Sequence, residues 1–520
     1  YEIGSGLVGS EMCIRDSTVS DSKGRVADGK IYIPYSVVTD TLDGRFYWDE
    51  ETQKMLYTTP DAVMEIQPET TFSTTAGTEQ EEGYVLVKEF DGSYYIALNF
   101  LEKYMQITSQ VYESPARAVI SYKWQSVQTV EAKKDTVVRY QGGIKSPILS
   151  EVKEGDSLQL LEEMENWSRV MTADGLDGYV QKEDLKAAEE TELVYEGSYE
   201  ENYTSLTRDH KINLAWHQVT SEAANSAFDQ TMEEVKGVNV VSPTWFSVTG
   251  GEGTISSLAS AEYVDKAHAK GMEVWGLIDN FDENVSTLET LSKRSARTHI
   301  IEMLLSEAKR VGMDGINVDF EALTEEEAPH FIQFIRELSV TCRANNLVLS
   351  IDDPVPQYTA FYNRKEQGIM ADYVIIMGYD EHTTGSESAG SVASLPFVEE
   401  GIVQTLKEVP REKVINAVPF YTRLWTENNN GMVSSEVFGM DQADKYVQEK
   451  GMEVYWNKDV SQNYGELVTA EGTQKIWLED EKSLEEKMKL VQQYELAGVA
   501  AWKLGFERAD VWEIISKYLQ

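Results

Sequence analysis

From Lys211 to the C-terminus, short apolar runs recur eight times, and this recurrence restricts the folds open to the chain more than any other feature of it. The runs are Ile212 to His217, Val238 to Phe246, Glu273 to Asn280, Asp314 to Glu321, Leu347 to Pro354, Tyr373 to Asp380, Val414 to Trp425 and Gly498 to Phe506. Helical patterns separate most of them. Thr298 to Ala308 carries a helical stripe between the third and fourth runs, and Phe331, Phe334, Ile335 and Leu338 repeat at three and four between the fourth and fifth. Strand and helix alternating eight times predict an α/β chain closed into a (β/α)8 barrel. The seventh connection, Thr426 to Ser483, is too long for one helix and contains strand-like Val454-Tyr455-Trp456 and Lys475-Ile476-Trp477-Leu478. A small α+β insertion after strand 7, over residues 426–482, is expected on one side of the barrel mouth.

The fourth run reads Asp314-Gly315-Ile316-Asn317-Val318-Asp319-Phe320-Glu321. Period two sends Ile316, Val318 and Phe320 to one face of a strand and Asn317, Asp319 and Glu321 to the other. A row of acids on a buried strand is costly unless the acids are paired or used. At the end of a barrel strand the same row is suited to proton transfer. Met377-Gly378-Tyr379-Asp380 closes the sixth run, Pro419-Phe420-Tyr421-Thr422-Arg423 lies in the seventh, and Trp502 lies in the eighth.

The fourth run resembles the Asp-x-x-Asp-x-Asp-x-Glu signature of family 18 glycoside hydrolases, with Asn317 in the place of the middle aspartate. Asn also stands there in the subgroup that resembles spore-cortex and cell-wall hydrolases. The sixth run is similar to the family's Met-x-Tyr-Asp motif, the seventh to its Pro-Phe-Tyr-x-Arg pattern, and Trp502 to the tryptophan that floors its sugar site. The resemblance implies a TIM barrel and retaining, substrate-assisted cleavage next to N-acetylglucosamine, where the substrate's acetamido oxygen takes the place of a carboxylate nucleophile. It implies Glu321 as acid and then base, Asp319 as partner of the acetamido N–H, and Tyr379 as a hydroxyl clamp on the acetamido oxygen. Asn317, Met377, Asp380, Tyr421, Arg423 and Trp502 are then expected to bind substrate. Trp216, Trp245, Phe246, Trp275, Trp425 and Trp477 are further candidates for stacking on sugar faces, although each taken singly is more often core. Two acids in one pocket help keep Glu321 protonated near neutrality. An amide at Asn317 carries no exchangeable charge, so a shorter proton relay and a shifted pH optimum are expected, with activity retained. Peptidoglycan or spore cortex is the expected polymer, with chitin or an N-glycan core open. The alternative is a catalytically silent, lectin-like glycan-binding protein on the same barrel, and the presence of Glu321 counts against it.

Upstream, residues 30–129 read as one pattern written twice. Ile31 to Val38, Arg45 to Asp49 and Lys54 to Tyr57 are echoed by Tyr94 to Leu101, Gln106 to Thr108 and Ala118 to Ser121, each copy a strand, a short helix and two strands. This α+β repeat resembles the N-terminal domain of copper amine oxidases, and a spacer role is expected of it. Residues 130–187 hold short strands with close turns, including Trp167-Ser168-Arg169-Val170 and Gly178-Tyr179-Val180. They resemble a bacterial SH3 domain, whose Trp167 and Tyr179 serve either as a groove for a cell-wall peptide or glycan or as ordinary barrel packing. Residues 188–209 are expected to be a solvated acidic linker, and 210–520 the catalytic barrel. Residues 5–17 resemble translated adapter read-through, so residues 1–29 are expected to be artefactual or disordered, with any export signal missing.

The 520 residues include 89 acidic and 46 basic side chains, a formal net charge of −43 that argues against a nucleic-acid ligand. Cys13 and Cys342 are far apart, and the six histidines form no metal-binding spacing, so neither metal nor cofactor is proposed. No apolar run is long enough to span a bilayer. An extracellular or cell-wall-associated location is expected.

Overall fold

The computed structural model describes residues 11–14, 18–20, 23–42, 44–113, 116–470 and 472–519. The chain divides into an N-terminal unit that ends at Asn202 and a C-terminal unit that begins at Tyr203. Most of the stretch expected to be read-through lies outside the described residues, but Glu11–Ile14 within it pairs in parallel with Ala116–Ser121 and antiparallel with Thr18–Ser20, against the expectation of disorder there.

In the N-terminal unit the repeat is real. One copy runs through strand Lys30–Pro34, helix Tyr35–Asp40 and strands Phe46–Asp49 and Lys54–Thr58. The other runs through strand Ser93–Ala97, helix Leu98–Tyr104 and strands Thr108–Glu113 and Ala116–Ser121. Their opening strands pair antiparallel, with Ile96 opposite Ile33, and the copies share one core containing Val38, Phe46, Tyr57, Phe100 and Leu101. Order extends ahead of the expected boundary at Lys30, because Arg25–Ala27 pairs with Lys30–Pro34.

The SH3-like part is an antiparallel sheet around Val130, Val138, Val152, Leu158, Val170 and Val180. Trp167 and Tyr179 are half-buried. Gly142 lies against the indole so closely that a Cβ there would sit 3.3 Å from the Trp167 ring. The expected linker is not wholly solvated. Glu189–Glu192 forms an antiparallel edge strand on Ser126–Glu131, where backbone pairing outweighs an acidic composition with no apolar pattern.

The C-terminal unit is the expected barrel. Its strands, numbered here within the barrel, are β1 (Ile212–His217), β2 (Val240–Gly250), β3 (Glu273–Asp279), β4 (Gly315–Asp319), β5 (Val348–Pro354), β6 (Tyr373–Met377), β7 (Val414–Pro419) and β8 (Gly498–Trp502). Each pairs in parallel with its neighbours in sequence, and β8 pairs with β1 to close the ring. Period two sorts the side chains into two cores. Leu214, Trp216, Trp275, Tyr373, Ile375 and Ala417 fill the interior, whereas Ile316, Val318 and Phe320 face the helices. Gly315 makes room inside, since a Cβ there would lie 2.8 Å from the Trp275 ring. Trp216, Trp245, Phe246, Trp275 and Trp425 are all buried and so are core, not sugar platforms at the mouth.

Phe320 fixes the chain just before Glu321. Its ring stacks on Phe331 and Phe334 of helix Ala328–Ala344, at centroid separations of 5.8 and 5.7 Å. Burying such a ring contributes about 1.5–3 kcal/mol. At the opposite end of the barrel, Leu206 packs against the interior core, and Asp372 Oδ1 accepts the Leu206 N–H at 2.6 Å. Arg208 pairs with Glu273 at the start of β3. The last residues of the expected linker therefore seal the barrel floor.

The insertion begins earlier than expected. The seventh run breaks after Pro419, and Tyr421–Asn428 joins a separate antiparallel sheet in the order Val433–Gly439, Tyr421–Asn428, Gly472–Leu478, Gln462–Val468, Glu453–Asn457. Helix Met440–Lys450 covers it over Leu424, Phe438, Met452 and Ile476. A fully buried ion pair fastens the end of the insertion to the barrel. Lys487 Nζ donates to both oxygens of Glu479 at 3.0 Å, while Gln462 and Ser483 donate to the same carboxylate. Removing one partner strands a buried charge, which costs about 3–5 kcal/mol, whereas removing both costs much less. Lys487→Met is expected to destabilise the C-terminal unit by about that amount in chemical denaturation, and Lys487→Met with Glu479→Leu to recover most of it. Equal losses in the single and double variants would refute this assignment.

Candidate active site

The C-terminal ends of the barrel strands collect the acids. Asp319 is the last residue of β4, stands in register with Asp279 at the end of β3, and is buried at 6% exposure. Glu321 follows just beyond the strand and opens to solvent in the cleft. Its backbone is held on both sides by one amide: its N–H donates to Asn280 Oδ1 at 3.0 Å, and its carbonyl accepts from Asn280 Nδ2 at 3.1 Å. The ring core at Phe320 and the Asn280 clasp leave the carboxylate as the free end of a fixed backbone.

Below them sits Asn317, wholly buried, and this corrects its expected place among the substrate-binding residues. Its Oδ1 accepts from Trp216 Nε1 at 2.9 Å and from Ser242 Oγ at 3.0 Å. Its Nδ2 donates to Ser350 Oγ at 3.0 Å and to Asp352 Oδ1 at 2.7 Å. An amide has two acceptor and two donor positions, and all four are used here. The residue therefore orders the barrel interior and has nothing left to offer a ligand.

Asp352, on β5, escaped the sequence reading. It is 1% exposed, and its Oδ2 and the Oδ1 of Asp319 are buried oxygens without a hydrogen-bond partner among the described residues. The signal was the adjacent pair Asp352-Asp353 inside an otherwise apolar run. Their roles differ, because period two turns Asp353 outward to a buried Arg364, 3.2 Å away. Asp353 is pushed up to about 6 by burial, against the pull of that guanidinium.

The electrostatics follow from withheld water. Burial, reinforced by the charges of Asp352, Glu321 and Asp279, pushes the Asp319 carboxyl well above the usual aspartate range. Burial does the same to Asp352 against the hydrogen bond from Asn317, with Asp353 and Glu321 adding to the rise. Glu321 is also raised, first by partial desolvation of its carboxyl and then by the charges of Asp380 and Asp279. Asp279 itself is raised by burial, although Ser247 Oγ donates to it at 2.7 Å. These are the conditions under which a carboxylic acid keeps its proton near neutrality.

Tyr379 and Asp380 follow β6, and Met377 is its buried last residue. Tyr379 is half-buried and packs against the interior core, as Trp502 does. Burial holds its hydroxyl in the protonated form, helped by the charges around it. Asp380 has φ of +60°, which turns the chain sharply and presents its carboxylate to Tyr421, whose hydroxyl donates to Oδ1 at 2.6 Å. Tyr421, Arg423 and Trp425 lie on one face of the first insertion strand, and all three reach the loop after β6. Tyr421 meets Asp380, Arg423 Nη1 donates to Thr384 Oγ1 at 2.8 Å, and Trp425 Nε1 donates to the Gly390 carbonyl at 2.8 Å. The observed partners of Arg423 are thus protein groups, Thr384 and Ser435, and its effect is to order this loop. Trp502 ends β8, half-buried, with its ring 6.0 Å from that of Trp216.

Comparison with known proteins agrees with this geometry. The profile described as Glycosyl hydrolases family 18 matches residues 275–507, that of the Bacterial SH3 domain matches 135–186, and that of the Copper amine oxidase N-terminal domain matches 13–120. The chain is 26% identical over 278 residues to the "Uncharacterized glycosylase YvbX" of Bacillus subtilis, covering 51% of this chain and 80% of that protein. It is 22% identical over 235 residues to the cortical fragment-lytic enzyme of the same organism, covering 44% of this chain and 54%, about half, of that protein. The spore cortex-lytic enzyme SleL of Bacillus cereus shares the fold, with a TM-score of 0.55 at 18% identity over 68% of this chain and 79% of that one. The barrel thus matches the glycosyl hydrolases of family 18 over residues 275–507, and the parts ahead of it match a copper amine oxidase N-terminal domain and a bacterial SH3 domain.

Proposed function

We propose that the barrel cleaves β-linked glycans at N-acetylglucosamine by a retaining, substrate-assisted mechanism, with peptidoglycan or a cortex-type glycan as its polymer. The observation that carries this reading is the solvent-open Glu321, held by Asn280 at the end of the strand that carries the buried Asp319. Glu321 delivers its proton to the glycosidic oxygen as the C1–O bond breaks, and the substrate's acetamido oxygen closes on C1 to form an oxazolinium ion. Asp319 accepts the acetamido N–H and faces the positive charge, while the Tyr379 hydroxyl donates to the acetamido oxygen. Burial and mutual repulsion favour one proton on the Asp319 and Asp352 pair, so the pair meets the cation with a single negative charge. Water then attacks C1 as the bond from C1 to the acetamido oxygen breaks, and gives its proton to Glu321, restoring the acid and the acetamido group. Trp502 floors the sugar, and Asp380 and Tyr421 close its side. Chitin remains a second substrate under this scheme. The glycosylase and cortical fragment-lytic names of the relatives favour a wall polymer, and with it action outside the cytoplasm. Among the described residues no helix is long and apolar enough to cross a membrane. Trp167 and Tyr179, half-buried on the SH3-like sheet, are a candidate groove for wall peptide or glycan.

Incubation of the full chain with purified peptidoglycan and with chitin oligosaccharides, followed by mass spectrometry, is expected to yield fragments with reducing N-acetylglucosamine. Glu321→Gln should lower kcat by a factor of at least about 100, the usual weight of a positioned general acid. Cleavage that survives this substitution would sink the assignment.

The raised Glu321 fixes the sign of a pH effect. The acid must be protonated to act, so the alkaline limb of kcat/KM follows its titration. Asp279→Asn removes one of the charges that raise it, so that limb is expected to move to lower pH. An unmoved or alkaline-shifted limb would refute the electrostatic account.

Asp352 has a stability cost with its own sign. Its folded pKa lies above its unfolded one, so the folded state binds more protons than the unfolded state. Stability is therefore lost as pH rises from the unfolded pKa, near 3.9, through the folded one. Asp352→Asn keeps the hydrogen bond from Asn317 and removes this loss. Its Tm should exceed that of the parent at pH 8 by more than at pH 4 in calorimetry, and a gap independent of pH would contradict the assignment.

A further inference from the structure

We propose that Lys503 gives the cleft a recognition position for a carboxylate carried by the glycan, so that the substrate is an acidic N-acetylated glycan and not a neutral one. The inference rests on the glycosidase reading above and narrows its substrate class to strands bearing carboxylated side groups, such as the lactyl ethers of peptidoglycan.

Lys503 is the residue directly after Trp502, on the barrel face where β8 and β1 end. Its ammonium donates to Oε1 of Gln218, one residue beyond β1, at 2.8 Å, and lies 4.3 Å from the centroid of the Phe506 ring. That ring stands 6.4 Å from the ring of Tyr421, whose hydroxyl holds Asp380. The ammonium thus belongs to the same rim as the sugar floor and the side wall of the site. Among the described residues no carboxylate lies within ion-pairing distance of it. Glu507, the acid whose charge it feels, has Oε2 accepting the Gly505 N–H at 2.6 Å. Partial burial holds the Lys503 ammonium below the usual lysine range, against the pull of Glu507.

Leaving a cation half-dehydrated and without a counter-ion is unfavourable, and it is unexpected in a chain with 89 acidic and 46 basic residues. An ammonium has three protons to donate, and the Gln218 amide takes one. The Phe506 ring stabilises the charge without satisfying a proton. What remains fits an anionic oxygen arriving with the ligand. A neutral glycan offers only hydroxyl and amide groups at this position, which leave the charge uncompensated.

The test uses the full chain and two preparations of one substrate: peptide-free peptidoglycan strands with free lactyl carboxylates, and the same strands with those groups converted to methylamides. The parent should cleave the acidic strands with about tenfold higher kcat/KM, carried mostly in KM, as a charge-assisted hydrogen bond predicts. Lys503→Gln should collapse that ratio towards one and Lys503→Arg should restore most of it, a pattern that a general folding defect does not produce. Added salt should narrow the ratio in the parent. A ratio near one in the parent, or one that survives Lys503→Gln, with cleavage intact, would overturn the Lys503 inference alone. Absence of cleavage of both strands and of chitin would overturn the glycosidase reading and this inference with it.

Discussion

Four hydrogen bonds on the side chain of Asn317 hold the interior together. They tie Trp216 of β1, Ser242 of β2, and Ser350 and Asp352 of β5 to the middle of β4. The indole and hydroxyl donors fix the carbonyl side of the amide, so its N–H groups must face β5. That orientation supplies a donor to Asp352, and it explains why an amide suits a position where the family resemblance leads to an aspartate. A carboxylate at 317 would bring a third acid against Asp319 and Asp352 with no donor to separate them.

Everything above this layer inherits its geometry. Asp319 is two residues further along β4 and shares the interior face with Asn317, so the amide network sets its depth. Glu321 is two further again, but it has left the strand, and its position is controlled from outside by Phe320 in the helix layer and from the side by Asn280. Acids alternate in this way with apolar anchors, and each anchor is buried where the adjoining acid is not free to move. Packing energy in the helix layer therefore offsets the desolvation of the carboxylates inside, as expected where strain and unmet polar groups gather at a functional site.

Much of this was legible in the sequence because period two and period 3.6 are properties of side-chain direction. The eight strands, the Phe331 to Leu338 stripe and the division of Ile316, Val318 and Phe320 from Asn317, Asp319 and Glu321 needed nothing else. What was missed involves partners distant in sequence. Val414 to Trp425 reads as one apolar strand, and nothing local shows that Tyr421 leaves the barrel sheet for another. Asn317 looks like a ligand-binding amide until Trp216 and Ser242, 101 and 75 residues ahead of it respectively, are seen to occupy its oxygen. Glu189–Glu192 has no apolar pattern, because an edge strand is held by its backbone. Asp352 sits beside Asp353 in a run that is otherwise mostly barrel core, and the orphaned oxygens on it and on Asp319 show which of the two acids faces the site.

The insertion shows why the break after Pro419 matters to the chemistry. A strand that continued the barrel would have kept Tyr421 and Arg423 on the interior face, in line with Ile415 and Ala417. By leaving the barrel at Phe420, the chain instead points Tyr421, Arg423 and Trp425 together at the loop that carries Asp380, Thr384 and Gly390. On the other face of the same strand, Leu424 enters the insertion's own core. One strand thus joins two cores, and the loop bearing Tyr379 and Asp380 is ordered by residues that the insertion stabilises. Because the buried Lys487 and Glu479 pair fastens the far end of that insertion, the side wall of the cleft is held at both ends, by polar contacts at the mouth and by a desolvated charge pair at its base.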